Sequence, residues 1–364
     1  MSFFRSGAAS VIIDGQFGST GKGLAAAYMY VTNEKVVDWS NMISVTNAAP
    51  NAGHTTVLPN GEKFVTFHMP TIGVLAKDST IYLDAGAILD LEVLKDELRV
   101  LGIDPGRVHI HPHAAVITKE DKEYERDRAS GTTKIASTQK GVGRALARKI
   151  MREGVVAKDV EAKLFKMGVN VSGIDLNLEM NTGSCVVIET PQGMGLSLNH
   201  GFYPHCTSRE VSVAQSLSDA GVHPHHLHQT MMVMRTFPIR VGNIYDEDGR
   251  EIGNSGGGYP DQVEMDWNDF PDVVPERTTV TQRVRRIFSF SQMQYQESLR
   301  RLRPDIVHVG FCDYFKERIE FDNFLDQIHE AELIESFTPS KMVFSFGPST
   351  TDVHTLSQAR GKFK

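Results

Sequence analysis

Residues 11–30 read VIIDGQFGSTGKGLAAAYMY, and this stretch decides the fold. Residues 11–13 are a short apolar run that predicts a buried β-strand, and residues 24–30 have the pattern of a helix. Between them lies a glycine-rich loop, residues 15–23. A strand, a glycine loop and a helix in this order form a cradle for an anion, because the free N–H groups at the start of the helix point at a bound phosphate.

The glycine loop differs from a standard phosphate-binding loop. Gln16 stands where that motif has its first glycine, and Gly23 stands where it has the serine or threonine that binds Mg²⁺. Lys22 still favours a phosphate site, because an ammonium group beside backbone N–H groups suits a β- or γ-phosphate. A tight turn with only a structural role is the alternative reading of the loop.

Short β-rich runs alternate with helical patterns along the rest of the chain. Strands are predicted at residues 80–83, 108–110, 185–188, 231–235, 306–309 and 342–346, with helices at 89–101 and 289–303. This alternation predicts an α/β fold with a large, mostly parallel central sheet flanked by helices. No linker or repeat interrupts the chain, so residues 1–364 are expected to form a single domain. Residues 251–275 are rich in Gly, Asp and Pro and are predicted to form a long loop.

The composition of the 364-residue chain excludes several classes of protein. Its formal net charge of -7 argues against a nucleic-acid-binding protein, because such proteins concentrate Lys and Arg on one face. No run approaches the roughly 18 apolar residues of a membrane span, and residues 1–10 lack the apolar region of a signal peptide. We therefore expect a cytoplasmic protein that binds neither nucleic acid nor membrane.

A second motif, Asn51-Ala52-Gly53-His54-Thr55, follows the glycine loop by about thirty residues. Its small residues let the backbone approach a ligand closely, and its histidine can donate to a developing oxyanion. Taken with Gly18-Ser19-Thr20-Gly21-Lys22-Gly23, this pair of motifs resembles the two signatures of the adenylosuccinate synthetase family.

Weaker similarities to that family follow in the same order along the chain. They are the segments Ser137-Thr138-Gln139-Lys140-Gly141-Val142-Gly143, Glu189-Thr190-Pro191-Gln192-Gly193, Thr207-Ser208, Thr281-Gln282-Arg283-Val284-Arg285-Arg286, Asp313 and Ser345-Phe346-Gly347-Pro348.

The resemblance implies a two-step reaction. The γ-phosphate of a nucleoside triphosphate moves to O6 of a purine nucleotide, and the amine of L-aspartate then displaces it at C6. It also implies Mg²⁺, held by Ser19 and the Gly53 carbonyl, and a homodimer in which Arg152 reaches the nucleotide phosphate of the other subunit. The catalytic residues that it implies are Ser19, His54 and Lys22.

The implied binding residues fall into three groups. The triphosphate would be bound by Gly18, Ser19, Thr20, Gly21, Lys22, Gly23, Gly53, His54, Thr55, Asp313, Ser345, Gly347 and Pro348. The acceptor nucleotide would be bound by Ser19, Asn51, Ser137, Thr138, Arg152, Gln192 and Thr207. Aspartate would be bound by Thr281, Arg283 and Arg285.

Ser19 departs from the family pattern, because ordinary members have an Asp there that takes the N1 proton of inosine monophosphate and ligates Mg²⁺. A neutral, shorter serine leaves room beside purine C2 for an exocyclic amine, which guanine has. The loop therefore resembles the phage branch of the family, which joins aspartate to dGMP to form 2-amino-2'-deoxyadenylosuccinate, a precursor of diaminopurine deoxynucleotide. The route of the N1 proton is open: Ser19 with water, or Asp14, which as a strand-end residue is more often a turn former.

The donor nucleotide is expected to be ATP or dATP. Ordinary members read guanine with a Lys-x-Asp pair, whereas Phe311-Cys312-Asp313 keeps only the aspartate. Two alternatives remain: an ordinary adenylosuccinate synthetase that uses inosine monophosphate and GTP, and a regulator that senses nucleotides without turnover. The role of the histidine-rich residues 223–228 is also open.

Overall fold

The computed structural model describes residues 2–127, 130–278 and 281–363. Its strands are β1 (Ala9–Asp14), β2 (Met42–Thr46), β3 (His54–Val57), β4 (Lys63–Thr66), β5 (Thr80–Leu83), β6 (Ile88–Leu89), β7 (Val108–Ile110), β8 (Ala115–Val116), β9 (Asn170–Val171), β10 (Cys185–Glu189), β11 (Leu227–Arg235), β12 (Ile239–Arg240), β13 (Ile244–Tyr245), β14 (Glu251–Gly253), β15 (Glu264–Met265), β16 (Arg286–Phe288), β17 (Ile306–Gly310), β18 (Lys341–Ser345) and β19 (Val353–His354). Its α-helices are α1 (Lys22–Asn33), α2 (Thr71–Leu75), α3 (Leu91–Val100), α4 (Lys119–Arg126), α5 (Val142–Ile150), α6 (Glu161–Lys166), α7 (Leu176–Asn181), α8 (Val213–Ala220), α9 (Gln292–Leu302), α10 (Arg318–Ile334) and α11 (Leu356–Arg360).

Ten of these strands form one sheet in the order β19-β18-β17-β11-β1-β10-β2-β5-β7-β9. Every neighbouring pair is parallel except β18 and β19, which are antiparallel. The α/β fold with a mostly parallel sheet is thereby confirmed, and each strand predicted from the sequence overlaps an observed one, with the prediction at residues 342–346 running one residue past the end of β18. In the described part of the chain, no helix is both long and apolar enough to cross a membrane.

Strand β1 lies in the middle of the sheet, between β10 and β11. Val11, Ile12 and Ile13 are completely buried because helices cover both faces of a parallel sheet. The glycine loop therefore leaves the sheet at the centre of its carboxyl edge, where open α/β sheets bind their ligands.

Helix α1 begins at Lys22, two residues before the predicted start, so Lys22 and Gly23 of the glycine loop belong to its first turn. Gly21 precedes it in a left-handed conformation (φ 93°), and no side chain caps the first turn. Ala25 and Ala26 are completely buried against the sheet, since small side chains let the helix lie close to it. The first N–H groups of α1 are thus left for a ligand.

The prediction of a long loop at residues 251–275 was only partly correct. Strands β14 and β15 form inside it and pair with β13 and β16. The glycine segment is tied to two arginines, because Arg240 Nη1 donates to the Gly257 carbonyl at 3.1 Å and Arg286 Nη1 donates to the Gly256 carbonyl at 2.6 Å. The composition of residues 251–275 could not predict these hydrogen bonds, because the two arginines lie outside that stretch.

An aromatic cluster supports the β17–β18 side of the sheet. Phe321 of α10 is completely buried, and its ring lies 5.4 Å from that of Phe344 and 5.3 Å from that of Phe363 between centroids. Rings at this spacing bury a large apolar area and add favourable ring–ring contacts.

Replacing Phe321 by alanine should lower the free energy of unfolding by about 3–5 kcal/mol, because the cavity left behind cannot close in a packed aromatic cluster. Urea unfolding followed by circular dichroism measures this change. Phe165→Ala is the matched control, since Phe165 is 79% exposed on α6, and it should leave stability nearly unchanged. Equal losses in the two variants would contradict the assignment of Phe321 to the core.

Candidate active site

A cavity of about 740 Å³ opens at the carboxyl edge of the sheet, where β1, β10, β17 and β18 end. Most of the residues singled out from the sequence line it: Gly18, Ser19, Thr20, Gly21, Lys22, Gly23, Asn51, Gly53, His54, Thr55, Ser137, Thr138, Gln192, Thr207, Arg285, Asp313, Ser345, Gly347 and Pro348. The fold thus brings together segments that lie more than three hundred residues apart in the sequence.

The glycine loop is organised by the carboxylate of Asp14 at the end of β1. Asp14 Oδ1 accepts from the backbone N–H of Gln16 at 2.7 Å and of Gly18 at 3.4 Å. Its Oδ2 accepts from Thr20 Oγ1 at 2.6 Å and from Lys22 Nζ at 3.0 Å. Asp14 is completely buried beneath the loop and is absent from the cavity lining, so its observed role is to shape the loop and neutralise the lysine.

Lys22 lies at the floor of the cavity. Besides Asp14, its ammonium donates to the Gln192 carbonyl at 2.9 Å. These two acceptors use two of the three donors of an ammonium group, which leaves one for a phosphate oxygen.

The space around Gly23 explains why the serine or threonine of a standard phosphate-binding loop is missing there. A Cβ at this position would lie 2.6 Å from the Thr55 carbonyl oxygen and 2.7 Å from Thr56 Oγ1. The first turn of α1 therefore contacts β3 too closely to accept a serine or threonine. The same contact fixes the hairpin β3–β4, which begins at His54, against the phosphate cradle.

The imidazole of His54 is neutral in this state. Burial, and secondly the nearby ammonium of Lys22, lower the pKa of His54 to about 3. At neutral pH the ring therefore offers one N–H donor and one acceptor. His54 is equipped to donate a hydrogen bond to a phosphoryl or purine oxygen, without a fixed positive charge.

Further segments of the chain line the cavity with polar side chains. Gln192 Nε2 donates to Asn51 Oδ1 at 3.3 Å, which joins the segment after β10 to the segment before β3. Ser137 and Thr138 also line the cavity, in the loop before α5. Their side chains offer the mixture of donors and acceptors that a base and a sugar phosphate require.

The arginine-rich segment contributes Arg285 to the cavity, but not Arg283. The Arg283 guanidinium donates to the carbonyls of Ala136 at 2.9 Å, Ser137 at 3.2 Å and Gly242 at 3.0 Å. Its Nε donates to Thr281 Oγ1 at 3.1 Å. In this structure Arg283 ties the segment to the loop that contains Ala136 and Ser137, and Thr281 holds Arg283. The part of both residues in binding aspartate stays a prediction.

Arg152 does not line the cavity of its own chain. It is exposed in the turn that follows α5, with a left-handed backbone (φ 64°). Its role across a dimer interface stays a prediction.

A group of buried residues behind Ser19 was not predicted from the sequence. Arg235 ends β11 with a completely buried side chain and forms an ion pair with Glu276. Tyr314 donates to the same carboxylate at 2.7 Å, and the Phe311 ring lies 3.7 Å from the Arg235 guanidinium carbon. A charged residue at the end of the apolar run 231–234 was a signal for Arg235, whereas Glu276 had no local signal.

Comparison with known proteins agrees with this geometry. The sequence pattern of the family described as adenylosuccinate synthetase matches residues 11–172 and 157–300. The chain belongs to the adenylosuccinate synthetase family. The protein is therefore a ligase that forms a carbon–nitrogen bond.

Two sequence relatives and one solved structure show which members of the family this chain resembles. It is 34% identical over 365 residues to the N6-succino-2-amino-2'-deoxyadenylate synthase of Salmonella phage PMBT28, covering 95% of this chain and 96% of the relative. It is 30% identical over 333 residues to the adenylosuccinate synthetase of Pyrococcus horikoshii, covering 88% and 91%. The solved succinoaminodeoxyadenylate synthetase of cyanophage S-2L, bound to dGMP and dATP, superimposes with a TM-score of 0.82 at 29% identity and covers 98% of this chain and 99% of that one.

The oxygen donors of this family member suit a Mg²⁺ ion that arrives with a nucleotide. Ser19 and Gly53 both line the cavity, but each offers only a neutral oxygen. The nearby carboxylate of Asp14 is buried and already accepts four hydrogen bonds. Since Mg²⁺ commonly keeps phosphate and water ligands, Ser19 and Gly53 fit as additional ligands to a nucleotide-bound ion.

Gly193→Ala should damage the phosphate cradle of this synthetase-family protein. A Cβ at Gly193 would lie 2.5 Å from the Gln16 carbonyl oxygen and 2.6 Å from both Asp14 Oδ1 and Gly18 N, so the glycine loop must move. We expect binding of ATP, measured by calorimetry, to weaken about tenfold or more, as for loss of a charge-assisted hydrogen bond.

Gly173→Ala is the matched control, because nothing lies within 4 Å of a Cβ at that position. It should bind ATP like the unaltered protein. Unchanged ATP affinity in Gly193→Ala would show that the contact with the loop is unimportant for the cradle.

Proposed function

We propose that this protein joins L-aspartate to C6 of dGMP with hydrolysis of ATP or dATP and forms 2-amino-2'-deoxyadenylosuccinate. The γ-phosphoryl group is transferred to O6, and the aspartate amine then attacks C6 and expels phosphate. The products are the succinyl adduct, ADP or dADP, and inorganic phosphate. The observation that carries the proposal is Ser19, a neutral residue in the wall of a cavity that otherwise has the parts of a synthetase.

Phosphoryl transfer is assigned to Lys22, His54 and the start of α1. The ammonium and the free N–H groups hold the transferring phosphate, where fixed donors stabilise developing charge. His54 donates its N–H to O6 or to a phosphoryl oxygen, which a neutral imidazole can do. A bound Mg²⁺ supplies further neutralisation of the phosphate charge.

Ser19 sets the choice of acceptor in this proposal. It lies in the left-handed region (φ 54°), and its carbonyl accepts from Arg235 Nη1 at 3.2 Å. The short side chain leaves space for the exocyclic amine of guanine and can hydrogen-bond with it. The remaining contacts to dGMP are assigned to Asn51, Ser137, Thr138, Gln192 and Thr207.

The donor base is assigned to the opposite end of the cavity. Phe311 and Asp313 follow β17, Ser345 ends β18, and Gly347 and Pro348 come after it. Phe311 supplies an apolar ring where ordinary members present a lysine, so the site favours stacking over contact with the guanine oxygen. ATP or dATP is therefore the proposed donor, and the cyanophage relative bound to dATP supports this choice.

Aspartate is assigned to Arg285, with Arg283 and Thr281 joining after a rearrangement of their segment. The wider proposal treats residues 1–364 as one domain, in a homodimer in which Arg152 crosses to the neighbouring site. It places the enzyme in the cytoplasm, which is the host cytoplasm for a phage-encoded protein.

Phosphate release with Mg²⁺, aspartate and ATP tests the proposal, with dGMP and inosine monophosphate compared as acceptors. Mass spectrometry identifies the succinyl adduct. Turnover with dGMP supports the proposal. Turnover with inosine monophosphate alone would make the protein an ordinary synthetase, and nucleotide binding without any adduct would make it a regulator.

Ser19→Asp should lower kcat/KM for dGMP about a hundredfold, because a carboxylate is larger than the serine hydroxyl and takes the space of the exocyclic amine. Steady-state kinetics with each acceptor measure the change. Ser19→Ala is the matched control, since it keeps the space and should preserve the preference for dGMP. An Asp variant as active with dGMP as the unaltered enzyme would disprove the role of space at this position.

A further inference from the structure

Arg235 joins three walls of the cavity from behind. Its backbone N–H donates to Gln16 Oε1 at 3.0 Å, and its carbonyl accepts from Gln16 Nε2 at 3.1 Å. Its guanidinium donates to the Ser19 carbonyl at 3.2 Å and to both oxygens of Glu276. The same guanidinium lies over the ring of Phe311 at 3.7 Å. One buried residue thus contacts the glycine loop, Glu276 and Phe311, which lie in three separate segments of the cavity lining.

Glu276 is the shared counter-ion of two arginines. It forms the buried ion pair with Arg235, and Arg285 Nε lies 3.9 Å from its Oε2. Although burial alone would raise the pKa of Glu276, the Arg235 guanidinium and the hydrogen bonds of Arg235 and Tyr314 hold it below its ordinary value. The carboxylate is therefore ionised at neutral pH.

Arg285 lacks part of the pairing that a buried guanidinium group needs. Its ion-pair partner, the Glu276 carboxylate, is shared with Arg235. Within the residues that the structure describes, Arg285 Nε has no hydrogen-bond partner although it is buried. A buried charged donor without a partner is costly, so the arrangement favours an added anion at Arg285.

We infer that Arg235 and Glu276 are positioning residues, which fix Arg285 relative to the Ser19 loop so that aspartate meets the phosphorylated purine. This inference rests on the proposed function. Glu276 orients Arg285 towards the ligand, and Arg235 holds the carboxylate and the Ser19 carbonyl at a set distance. Neither residue itself needs to contact the reacting atoms.

The two residues should differ in the reaction steps that their loss affects. Glu276 contacts the aspartate side of the cluster, so its loss should affect the second step. Arg235 also holds Ser19, so its loss should affect both steps. Positional isotope exchange in the γ-phosphate of ATP, measured with dGMP and no aspartate, reports the first step alone.

Glu276→Gln should raise the KM for aspartate about tenfold or more, as expected for the loss of a charge-assisted contact. Isotope exchange and the KM values for dGMP and ATP should change less than threefold, because the amide keeps a hydrogen bond to Arg235. Arg235→Lys should slow isotope exchange as well, because an ammonium cannot reach both Glu276 and Ser19.

Glu332→Gln is the matched control. Glu332 is also a buried carboxylate that accepts from a tyrosine, Tyr295, at 3.1 Å, but it lies on α10 away from the cavity lining. It should leave every kinetic constant unchanged. If Glu276→Gln does not fold, Tyr314→Phe removes a single hydrogen bond to Glu276 and should raise the KM for aspartate by about two- to fivefold.

The outcomes separate the two proposals. Absence of the dGMP adduct in the unaltered enzyme would overturn the proposed function. A normal adduct together with equal aspartate KM values in the Glu276 and Glu332 variants would overturn only the positioning role. Equal losses in isotope exchange and in aspartate KM for Glu276→Gln would also overturn it, because they would indicate general damage.

Discussion

The buried carboxylate of Asp14 is the point on which the geometry of the cavity depends. It accepts two backbone N–H groups, a threonine hydroxyl and the Lys22 ammonium. Because it ends the central strand β1, it fixes the loop to the buried centre of the sheet. A buried charge of this kind is stable only when its hydrogen bonds are satisfied, so the loop conformation and the ion pair require each other. The phosphate cradle is thus preorganised before any ligand binds.

A second buried carboxylate, Glu276, has the opposite character. Asp14 is matched by one lysine, whereas Glu276 is shared by Arg235 and Arg285. Beneath the glycine loop one cation therefore meets one carboxylate, whereas two guanidinium groups share a single carboxylate behind Ser19. In the proposed reaction, this difference suits a first substrate that arrives with a cation and a second that arrives as a free dicarboxylate.

The sequence predicted the fold well and the site in part. Apolar runs such as residues 11–13 predict buried strands of a parallel sheet through their length and composition, which are local properties of the sequence. The Gly18–Lys22 and Asn51–Thr55 motifs were recognisable because their chemistry is also local. The pairing of Arg235 with Glu276 joins residues 41 positions apart. The hydrogen bonds from Arg283 to the carbonyls of Ala136 and Ser137 depend on how distant segments pack. Neither contact could be derived from the spacing of residues in the sequence.

The conformation of the serine loop is held by main-chain atoms of residue 19. Arg235 contacts the carbonyl of Ser19, and the backbone is left-handed there, a region that Asp and Asn also tolerate. The shape of the loop is therefore independent of which small polar side chain it carries. Under the proposed role of Ser19, a lineage can exchange one purine acceptor for another by changing this one residue without refolding the glycine loop, so loop shape and substrate choice are separate targets of selection.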